Sequence, residues 1–399
     1  MARRLIMGNE AVSLGALTAG CDFYAGYPIT PATEIMEEMS RQLPRRGGVF
    51  IQMEDELGAM GAVVGAAWGG AKAMTATSGP GFSLMQENLG YAAMTQTPCV
   101  VVDAQRGGPS TGLPTLPSQS DVMQARYGTH GDRAAVVLTA SSVETAYEAS
   151  RLAFELAARH RLPVVLLLDA VVSHMREPVD LPDLPPPSTR VRGARRERSS
   201  EMEETERRFG DAPFVPFGQG PRTVVTGLSH DERGMPRTGS GQDTERILRE
   251  SEARLRHDPD LRDGVSYTLL DDADVAILAY GITARAALEA VMLLRAEGVR
   301  AGLLDLRVLW PLPEVHIREV AERVRALVVA ELNLGQMVMP IAAAVGGRTR
   351  VHSLTRADGT LFTPDDIVGF VRLVASGGTG TDRETGVEER GENHAADRE

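Results

Sequence analysis

Short apolar segments alternate with helix-length segments along most of this chain, and that alternation is the strongest constraint on its fold. In the first half, strands are predicted at 22–24, 49–52, 71–76, 98–103, 134–138 and 163–168. Helices are predicted between them, at 31–43, 56–68, 82–94 and 142–159. Strands that are apolar throughout are buried on both faces of a sheet. The pattern therefore predicts a doubly wound, parallel-sheet α/β domain over residues 1–175.

The alternation stops near residue 174 and resumes near residue 266. Residues 176–265 are rich in proline, glycine and charge, and only 242–256 has a helical pattern, so this span is predicted to be a long, irregular connector. Residues 266–375 again alternate and predict a second, smaller α/β domain. Residues 376–399 contain almost no large apolar side chains and are predicted to be disordered.

Composition excludes several classes of function. The net charge of −12 disfavours nucleic-acid binding, and no apolar run approaches the roughly 18–20 residues of a membrane span. The first residues are too short in apolar length for a secretory signal, so a cytoplasmic protein is expected. The two cysteines, Cys21 and Cys99, are too few for an iron–sulfur cluster or a structural zinc site, and no metal site is predicted. Lys72 is the only lysine and lies outside any Walker-type loop.

The helix that starts at Glu56 has an unusual composition. It contains Gly58, Gly61 and Gly65, although each glycine costs a helix about 1 kcal/mol relative to alanine. Either another body approaches the backbone closely, or the helix packs tightly within its own domain. The acidic start at 54–56 is equally open: it is a functional carboxylate or simple compensation of the helix dipole.

Two loops follow predicted strands. Residues 77–81, Thr-Ser-Gly-Pro-Gly, present backbone N–H groups that can hold an anion or a ring edge, although the glycines could serve turn geometry alone. Arg106 begins a glycine-rich loop at the edge where open α/β sheets bind ligands. Its guanidinium suits a carboxylate ligand, and a surface ion pair is the alternative. His130 and His174 are either acid–base groups or hydrogen-bonding loop residues.

Several longer motifs occur in one order. They are Gly-Tyr-Pro-Ile-Thr-Pro at 26–31, Gln-Met-Glu-Asp-Glu at 52–56, Thr-Ala-Thr-Ser-Gly-Pro-Gly-Phe-Ser-Leu-Met-Gln-Glu at 75–87, Arg-Gly-Gly-Pro-Ser-Thr-Gly at 106–112, Gln-Ser-Asp-Val-Met-Gln-Ala-Arg at 119–126, Thr-His-Gly-Asp at 129–132 and Glu-Leu-Asn-Leu-Gly-Gln at 331–336. Together they resemble the α subunit of 2-oxoacid:ferredoxin oxidoreductases. The 2-oxoglutarate branch is the most similar. The resemblance is strong over residues 8–175 and moderate over 265–375.

The resemblance implies a fold and a set of site residues. The first domain would be a thiamine-diphosphate pyrimidine-binding domain, and the second would be similar to the C-terminal domain of transketolase. Glu56 would contact N1′ of the cofactor's aminopyrimidine, and Thr30 and Arg106 would hold the 2-oxoacid. The remaining cofactor-binding residues implied are Pro28, Ile29, Ser78, Gly79 and Pro80.

One expected motif is missing. Family members bind the diphosphate and its magnesium through Gly-Asp-Gly…Asn, which this sequence lacks. The resemblance therefore implies a β subunit that supplies magnesium and the diphosphate side. The iron–sulfur cluster would also lie on partner subunits. An acyl-transfer γ domain does not precede residue 1, so γ and ferredoxin-like δ subunits are further candidate partners, with ferredoxin as electron acceptor.

The implied reaction is oxidative decarboxylation of 2-oxoglutarate with coenzyme A to succinyl-CoA and CO2, reducing ferredoxin. Arg126 is a candidate for the distal carboxylate of 2-oxoglutarate, or it faces solvent. The alternatives are an α subunit acting on branched-chain 2-oxoacids or pyruvate, a non-catalytic scaffold subunit of such a complex, and an independent nucleotide- or flavin-binding protein.

Overall fold

The structure is a computed structural model, and it describes residues 2–186, 214–219, 224–231, 233–239 and 241–377. The first part of the chain forms β1 (Ala2–Met7), α1 (Gly8–Thr18), β2 (Phe23–Gly26), α2 (Thr33–Arg45), β3 (Val49–Gln52), α3 (Glu56–Trp68), β4 (Ala73–Thr77), α4 (Pro80–Met94), β5 (Cys99–Gly107), β6 (Leu113–Pro117), α5 (Val122–Tyr127), β7 (Val136–Thr139), α6 (Val143–His160), β8 (Pro163–Asp169), α7 (Ala170–His174) and β9 (Arg176–Leu181).

The later elements are α8 (Gly241–Arg256), α9 (Pro259–Arg262), β10 (Val265–Thr268), β11 (Val275–Ala279), α10 (Gly281–Ala296), β12 (Ala301–Leu306), β13 (Val308–Trp310), α11 (Glu314–Arg323), β14 (Ala326–Glu331), α12 (Val338–Val345), β15 (Arg350–Thr355) and α13 (Pro364–Ala375). The polar helix predicted at 242–256 is therefore confirmed as α8.

The first sheet has the strand order β13-β7-β8-β5-β4-β2-β3, with β6 paired to β5. Its strands run parallel from β7 to β3, while β13 and β6 are antiparallel to their neighbours. The central strands β4, β5 and β8 are buried along their whole length. Helices α3 and α4 pack on one face, and α1, α2 and α6 pack on the other. The prediction of a doubly wound parallel sheet is confirmed.

The second sheet has the order β10-β12-β11-β14-β15, and only β10 is antiparallel to its neighbour. Helices α10 and α13 cover one face. Helices α11 and α12 cover the other face, and their apolar residues belong to the same buried cluster as those of α3 and α4. The two sheets therefore share one continuous core.

Two strands depart from the sequence expectation. β13 lies in the segment predicted as the second domain, yet it pairs with β7 at the edge of the first sheet. β9 lies in the span predicted to be irregular, and that expectation is wrong for Arg176–Leu181, which pairs antiparallel with β1. Only Val179 and Leu181 of β9 are buried, so its sequence has too weak an apolar signal to reveal a strand. The rest of the connector falls partly, and the predicted tail almost wholly, outside the described residues.

A polar seam joins the two sheets through Gln119. Its side-chain amide donates to the carbonyl of Tyr280 over 2.8 Å and accepts from the Leu332 N–H over 3.0 Å and the Thr283 hydroxyl over 3.1 Å. Its backbone carbonyl accepts from the Asn333 amide over 2.7 Å. One buried side chain thus satisfies three polar groups of the second half, two at the start of α10 and one just after β14.

The motif at 331–336 completes this seam. Gln336 accepts from the Met123 N–H over 3.0 Å and donates to the Ser120 carbonyl over 2.6 Å. Glu331 is fully buried and accepts from the Tyr280 hydroxyl over 3.1 Å, and its burial raises the pKa of its carboxyl group. The motif at 331–336, which is one of the motifs that carry the family resemblance, therefore holds residues 118–124 in place.

Replacing Gln119 tests the seam. Gln119→Ala leaves the Leu332 N–H and the Tyr280 carbonyl buried without partners, so we expect the free energy of unfolding to fall by about 3 kcal/mol. Chemical denaturation of the full chain measures this change. Gln124→Ala, which removes only an exposed bond to the Ser83 hydroxyl, is the control and should change stability by less than about 0.5 kcal/mol. Equal effects would contradict the seam.

Candidate active site

At the start of α3, one of the two glutamates at positions 54 and 56 is buried. Asp55 caps the helix, because its side chain accepts from the Gly58 N–H over 2.7 Å. Glu56 follows as the first helical residue and is only 5% exposed, whereas Glu54 is exposed. Of the two acids, Glu56 is the one placed in the protein interior.

Glu56 lies against the turn between β4 and α4. A Cβ added to Gly81 would overlap both a Glu56 carboxylate oxygen and the Thr77 hydroxyl. Glycine is therefore the residue that lets the carboxylate approach the first turn of α4. In the described part of the chain the Glu56 carboxylate accepts no hydrogen bond. The hydroxyls of Thr77 and Ser78 are likewise buried without a partner there.

Arg106 approaches the same turn from β5. It is 7% exposed, its Nη1 donates to the Thr30 carbonyl over 2.7 Å, and its Nε has no partner among the described residues. Its Cγ lies 3.8 Å from the position a Cβ would take on Gly79, whose φ is +42°. The structure thus brings Thr30 and Arg106 together. Arg106 lies beside Gly79 of the turn at 78–81, and Glu56 lies beside Gly81 of the same turn.

Asn9 supports the neighbouring loop, a role not anticipated from the sequence. Its side chain donates to the Pro31 carbonyl over 2.8 Å and to Glu34 over 2.9 Å. Pro28 and Thr30 in that loop are exposed, and Ile29 is half-buried. Asn9 is the second residue of α1, distant in sequence from this loop, and no local pattern marks it as part of a site.

A buried acid pair lies beside Arg106, and it too was not predicted. Asp103 on β5 accepts from the Gly79 N–H over 3.3 Å, and its carboxyl group contacts that of Asp121 before α5. The Gln105 side chain accepts from the Asp121 N–H over 3.1 Å. Asp121 falls inside the motif at 119–126, but nothing in the sequence indicates that a strand residue would meet it.

The other candidates have different partners. Arg126 pairs with Glu252 over 3.0 Å and donates to the carbonyl of Arg133. It lines a groove with Trp310 and Glu252, and the lining of that groove does not include Thr30, Glu56 or Arg106. The structure therefore gives no support to a substrate-binding role for Arg126.

The two histidines are also placed apart from the turn at 78–81. His130 is exposed on its loop. His174 lies 3.4 Å from Glu34.

The face of α3 next to Glu56 is open. No atom of the described residues lies within 4 Å of a Cβ built on Gly61 or on Gly65, so packing among those residues does not account for these glycines. Leu57 and Leu84 beside them are 45% and 43% exposed. Of the two explanations considered for this helix, the open face favours the approach of another body.

In the described ranges, no three or more His, Cys, Asp or Glu side chains come together in a way that could hold a metal ion. Among the helices described, none is long and apolar enough to cross a membrane.

Comparisons with known proteins agree with this architecture. A family model described as pyruvate flavodoxin/ferredoxin oxidoreductase, thiamine diphosphate-binding, matches residues 14–248. A second, described as pyruvate:ferredoxin oxidoreductase core domain II, matches residues 273–367. The chain is 48% identical over 382 residues to a 2-oxoglutarate synthase subunit KorA of Methanothermobacter marburgensis, covering 92% of this chain and 97% of that protein. It is 38% identical over 380 residues to a ketoisovalerate oxidoreductase subunit VorB of Methanothermobacter thermautotrophicus, covering 94% and 99%.

Solved structures give the same result. A 2-oxoglutarate:ferredoxin oxidoreductase from Magnetococcus marinus, with 2-oxoglutarate, coenzyme A and succinyl-CoA bound, superposes with a TM-score of 0.81 at 32% identity. The match covers 93% of this chain and 65% of that one. A split-gene transketolase superposes with a TM-score of 0.56 at 15% identity, which concerns the fold alone.

The chain therefore belongs to the thiamine-diphosphate-binding family of 2-oxoacid:ferredoxin oxidoreductases. The family and the fold class predicted from the sequence motifs are both confirmed.

The contact between Glu56 and Gly81 can be tested without an assay of activity. Gly81→Ala forces a methyl group against the Glu56 carboxylate, and we expect the free energy of unfolding to fall by about 1–3 kcal/mol. Gly369→Ala on α13 is the matched control, because nothing lies within 4 Å of its added methyl group. It should raise stability by up to about 1 kcal/mol, since alanine favours a helix. A stabilising Gly81→Ala would contradict the described contact.

Proposed function

We propose that this chain is the α subunit of a 2-oxoglutarate:ferredoxin oxidoreductase and forms the aminopyrimidine side of a thiamine diphosphate site shared with a partner subunit. The reaction converts 2-oxoglutarate, coenzyme A and two oxidised ferredoxins to succinyl-CoA, CO2 and two reduced ferredoxins, with release of a proton. The observation that carries the proposal is the grouping of Glu56, Thr30 and Arg106 around the turn at 78–81 in a chain of this family.

Sequence similarity supports 2-oxoglutarate over the alternative acids. Four archaeal relatives named 2-oxoglutarate synthase subunit are 42–48% identical to this chain. Two relatives named ketoisovalerate oxidoreductase are 36–38% identical. A branched-chain 2-oxoacid is therefore the second candidate substrate.

The residues present fit the aminopyrimidine ring. A buried polar group without a hydrogen bond is unfavourable unless a ligand supplies the partner. The Thr77 and Ser78 hydroxyls are such groups in the described structure, and the Glu56 side chain, which is 5% exposed, lies beside them. A planar ring with several nitrogen atoms offers both a partner for the carboxyl group and donors or acceptors for the hydroxyls. Pro28, Ile29, Gly79 and Pro80 would contribute the rest of this wall.

The role we assign to Glu56 follows from its position. When bound, the cofactor supplies the carbon that reacts with the 2-oxoacid and the electron sink for decarboxylation. Glu56 would hold a proton in a hydrogen bond to the ring nitrogen N1′ and so set the protonation of the ring. Its low exposure keeps water from competing for that hydrogen bond. Gly81 keeps the carboxylate at the head of α4.

Arg106 and Thr30 would bind the acid substrate. The Arg106 side chain is held by one bond, from Nη1 to the Thr30 carbonyl, and its Nε is unpartnered in the described structure. A substrate carboxylate can take the free N–H groups of the guanidinium. The Thr30 hydroxyl, on an exposed loop residue, would bond the same ligand.

The partner would complete the site. This sequence has no Gly-Asp-Gly…Asn motif and only two cysteines, so we assign magnesium, the diphosphate and the iron–sulfur cluster to β and further subunits. The exposed face of α3 with Gly61, Gly65 and Leu57 is where we place the β subunit. Helix glycines there would allow two backbones to approach closely.

Glu56→Gln tests the function directly. The substitution keeps the size of the side chain and removes its acid, so we expect turnover of the assembled complex to fall about 10²–10⁴-fold with little change in assembly. Glu54→Gln, two residues away and exposed, is the control and should keep turnover near that of the unaltered complex. Near-normal turnover in Glu56→Gln would remove Glu56 from the mechanism and would favour the non-catalytic scaffold subunit.

Substrate choice is tested on the native complex. Ferredoxin reduction is measured with 2-oxoglutarate, with the branched-chain acid 3-methyl-2-oxobutanoate and with pyruvate at matched concentrations. We expect kcat/KM to be at least tenfold higher for 2-oxoglutarate. A higher value for the branched-chain acid would overturn the choice of substrate and leave the assignment of the subunit intact.

A further inference from the structure

Two buried carboxyl groups lie in contact where β5 approaches the start of α5. Asp103 is fully buried in the central strand β5. Asp121, at the N-cap position of α5, is half-buried, and its carboxyl group lies next to that of Asp103. Neither residue has been given a role in the proposed reaction. The positive charge of Arg106 attracts both carboxylates, so each of the two acids in turn acts on Arg106.

Two oxygen atoms of the pair lack a hydrogen-bond partner among the described residues. Asp103 Oδ1 accepts from the Gly79 N–H, while Asp103 Oδ2 and Asp121 Oδ2 are shielded from solvent and receive no hydrogen bond from any described group. Two ionised carboxylates accept only, so two such groups in contact cannot satisfy each other. A single proton between them supplies the missing donor and removes the repulsion of like charges.

We infer that Asp103 and Asp121 carry one shared proton at neutral pH and that this singly charged pair positions Arg106 for the substrate carboxylate. The inference rests on the proposed function through the role of Arg106. With one proton, the charge of −1 on the pair balances the +1 of Arg106. With none, the pair carries −2, draws the guanidinium towards itself and repels an incoming anion.

The surroundings leave few other groups to affect this balance. Among the described residues, Arg106 is the one charged side chain that acts on both acids, and the facing Gly79 N–H and Gln105 amide are neutral. The strand neighbours of Asp103, Thr77 on β4 and Leu167 on β8, are also uncharged.

Burial raises the pKa of both carboxyl groups. For Asp103, the proximity of Asp121 raises the pKa further, while the Gly79 N–H and Arg106 oppose the shift. For Asp121, the hydrogen bond from Asp103 and the charge of Arg106 oppose the shift. The higher of the two pKa values of the pair is raised. The pair therefore keeps its shared proton until the pH rises above that value. The singly charged state is therefore the one present between the lower and the upper pKa of the pair.

Kinetics of the assembled complex test the pair. We expect KM for 2-oxoglutarate to rise at least tenfold as the pH is raised through the upper pKa of the pair, with a smaller change in kcat. Asp121→Asn keeps a bridging hydrogen bond and cannot lose a proton, so its KM should stay within about threefold of the neutral-pH value at every pH. Asp121→Ala should raise KM about tenfold already at neutral pH. Asp132→Asn, on an exposed loop, is the control and should keep the original profile.

Infrared spectroscopy tests the shared proton without turnover. The full chain at neutral pH should show the C=O stretching band of a protonated carboxyl group that is lost in Asp121→Asn and kept in Asp132→Asn. A purely structural role for Asp121 predicts no such difference, and an unchanged band would overturn the inference.

The two proposals fail in different ways. An active native complex whose KM does not depend on pH would count against the pair alone. The absence of 2-oxoacid oxidation in that complex would count against the proposed function and leave the infrared result standing.

Discussion

The site depends on one turn, residues 78–81 between β4 and α4. Gly81 lets the Glu56 carboxylate lie against the start of α4, the Gly79 N–H bonds Asp103, and the Arg106 stem packs beside Gly79. Three charged side chains, one on α3 and two on β5, therefore meet one short piece of backbone. Because glycine has no side chain, this backbone can be approached from several directions at once. A larger residue at position 81 would separate the acid from the rest of the site.

The second half of the molecule stabilises this arrangement without lining it. Gln119 and the motif at 331–336 fasten residues 118–124 to the second sheet. Asp121 lies within that fastened segment and reaches back to Asp103 on β5. The polar seam and the acid pair are thus consecutive links between the second sheet and Arg106. Since the two sheets also share one apolar core, the halves of the chain behave as a single support for the site.

The sequence predicted the regular parts of the fold well, because buried parallel strands are apolar along their whole length. β4, β5 and β8 are such strands. It failed where a strand has little buried surface, as in β9, or joins a sheet distant in sequence, as β13 does. The motifs indicated Glu56, Thr30 and Arg106 as a group. They gave no indication of Asn9 or Asp103, since an isolated polar residue acquires its partners only through long-range packing.

By itself, the sequence determined the alternation of strands and helices, the family, and the absence of the Gly-Asp-Gly…Asn motif and of a set of cluster-binding cysteines. These properties depend on residue type and local order, which a linear pattern records. The tertiary structure alone decided three things. It decided which acid of 54–56 is buried, and that the face of α3 with Gly61 and Gly65 is open among the described residues. It also decided which carboxyl groups experience the charge of Arg106. Each of these depends on contacts between segments far apart in the chain, because burial and charge act through distance in space and not through order in sequence.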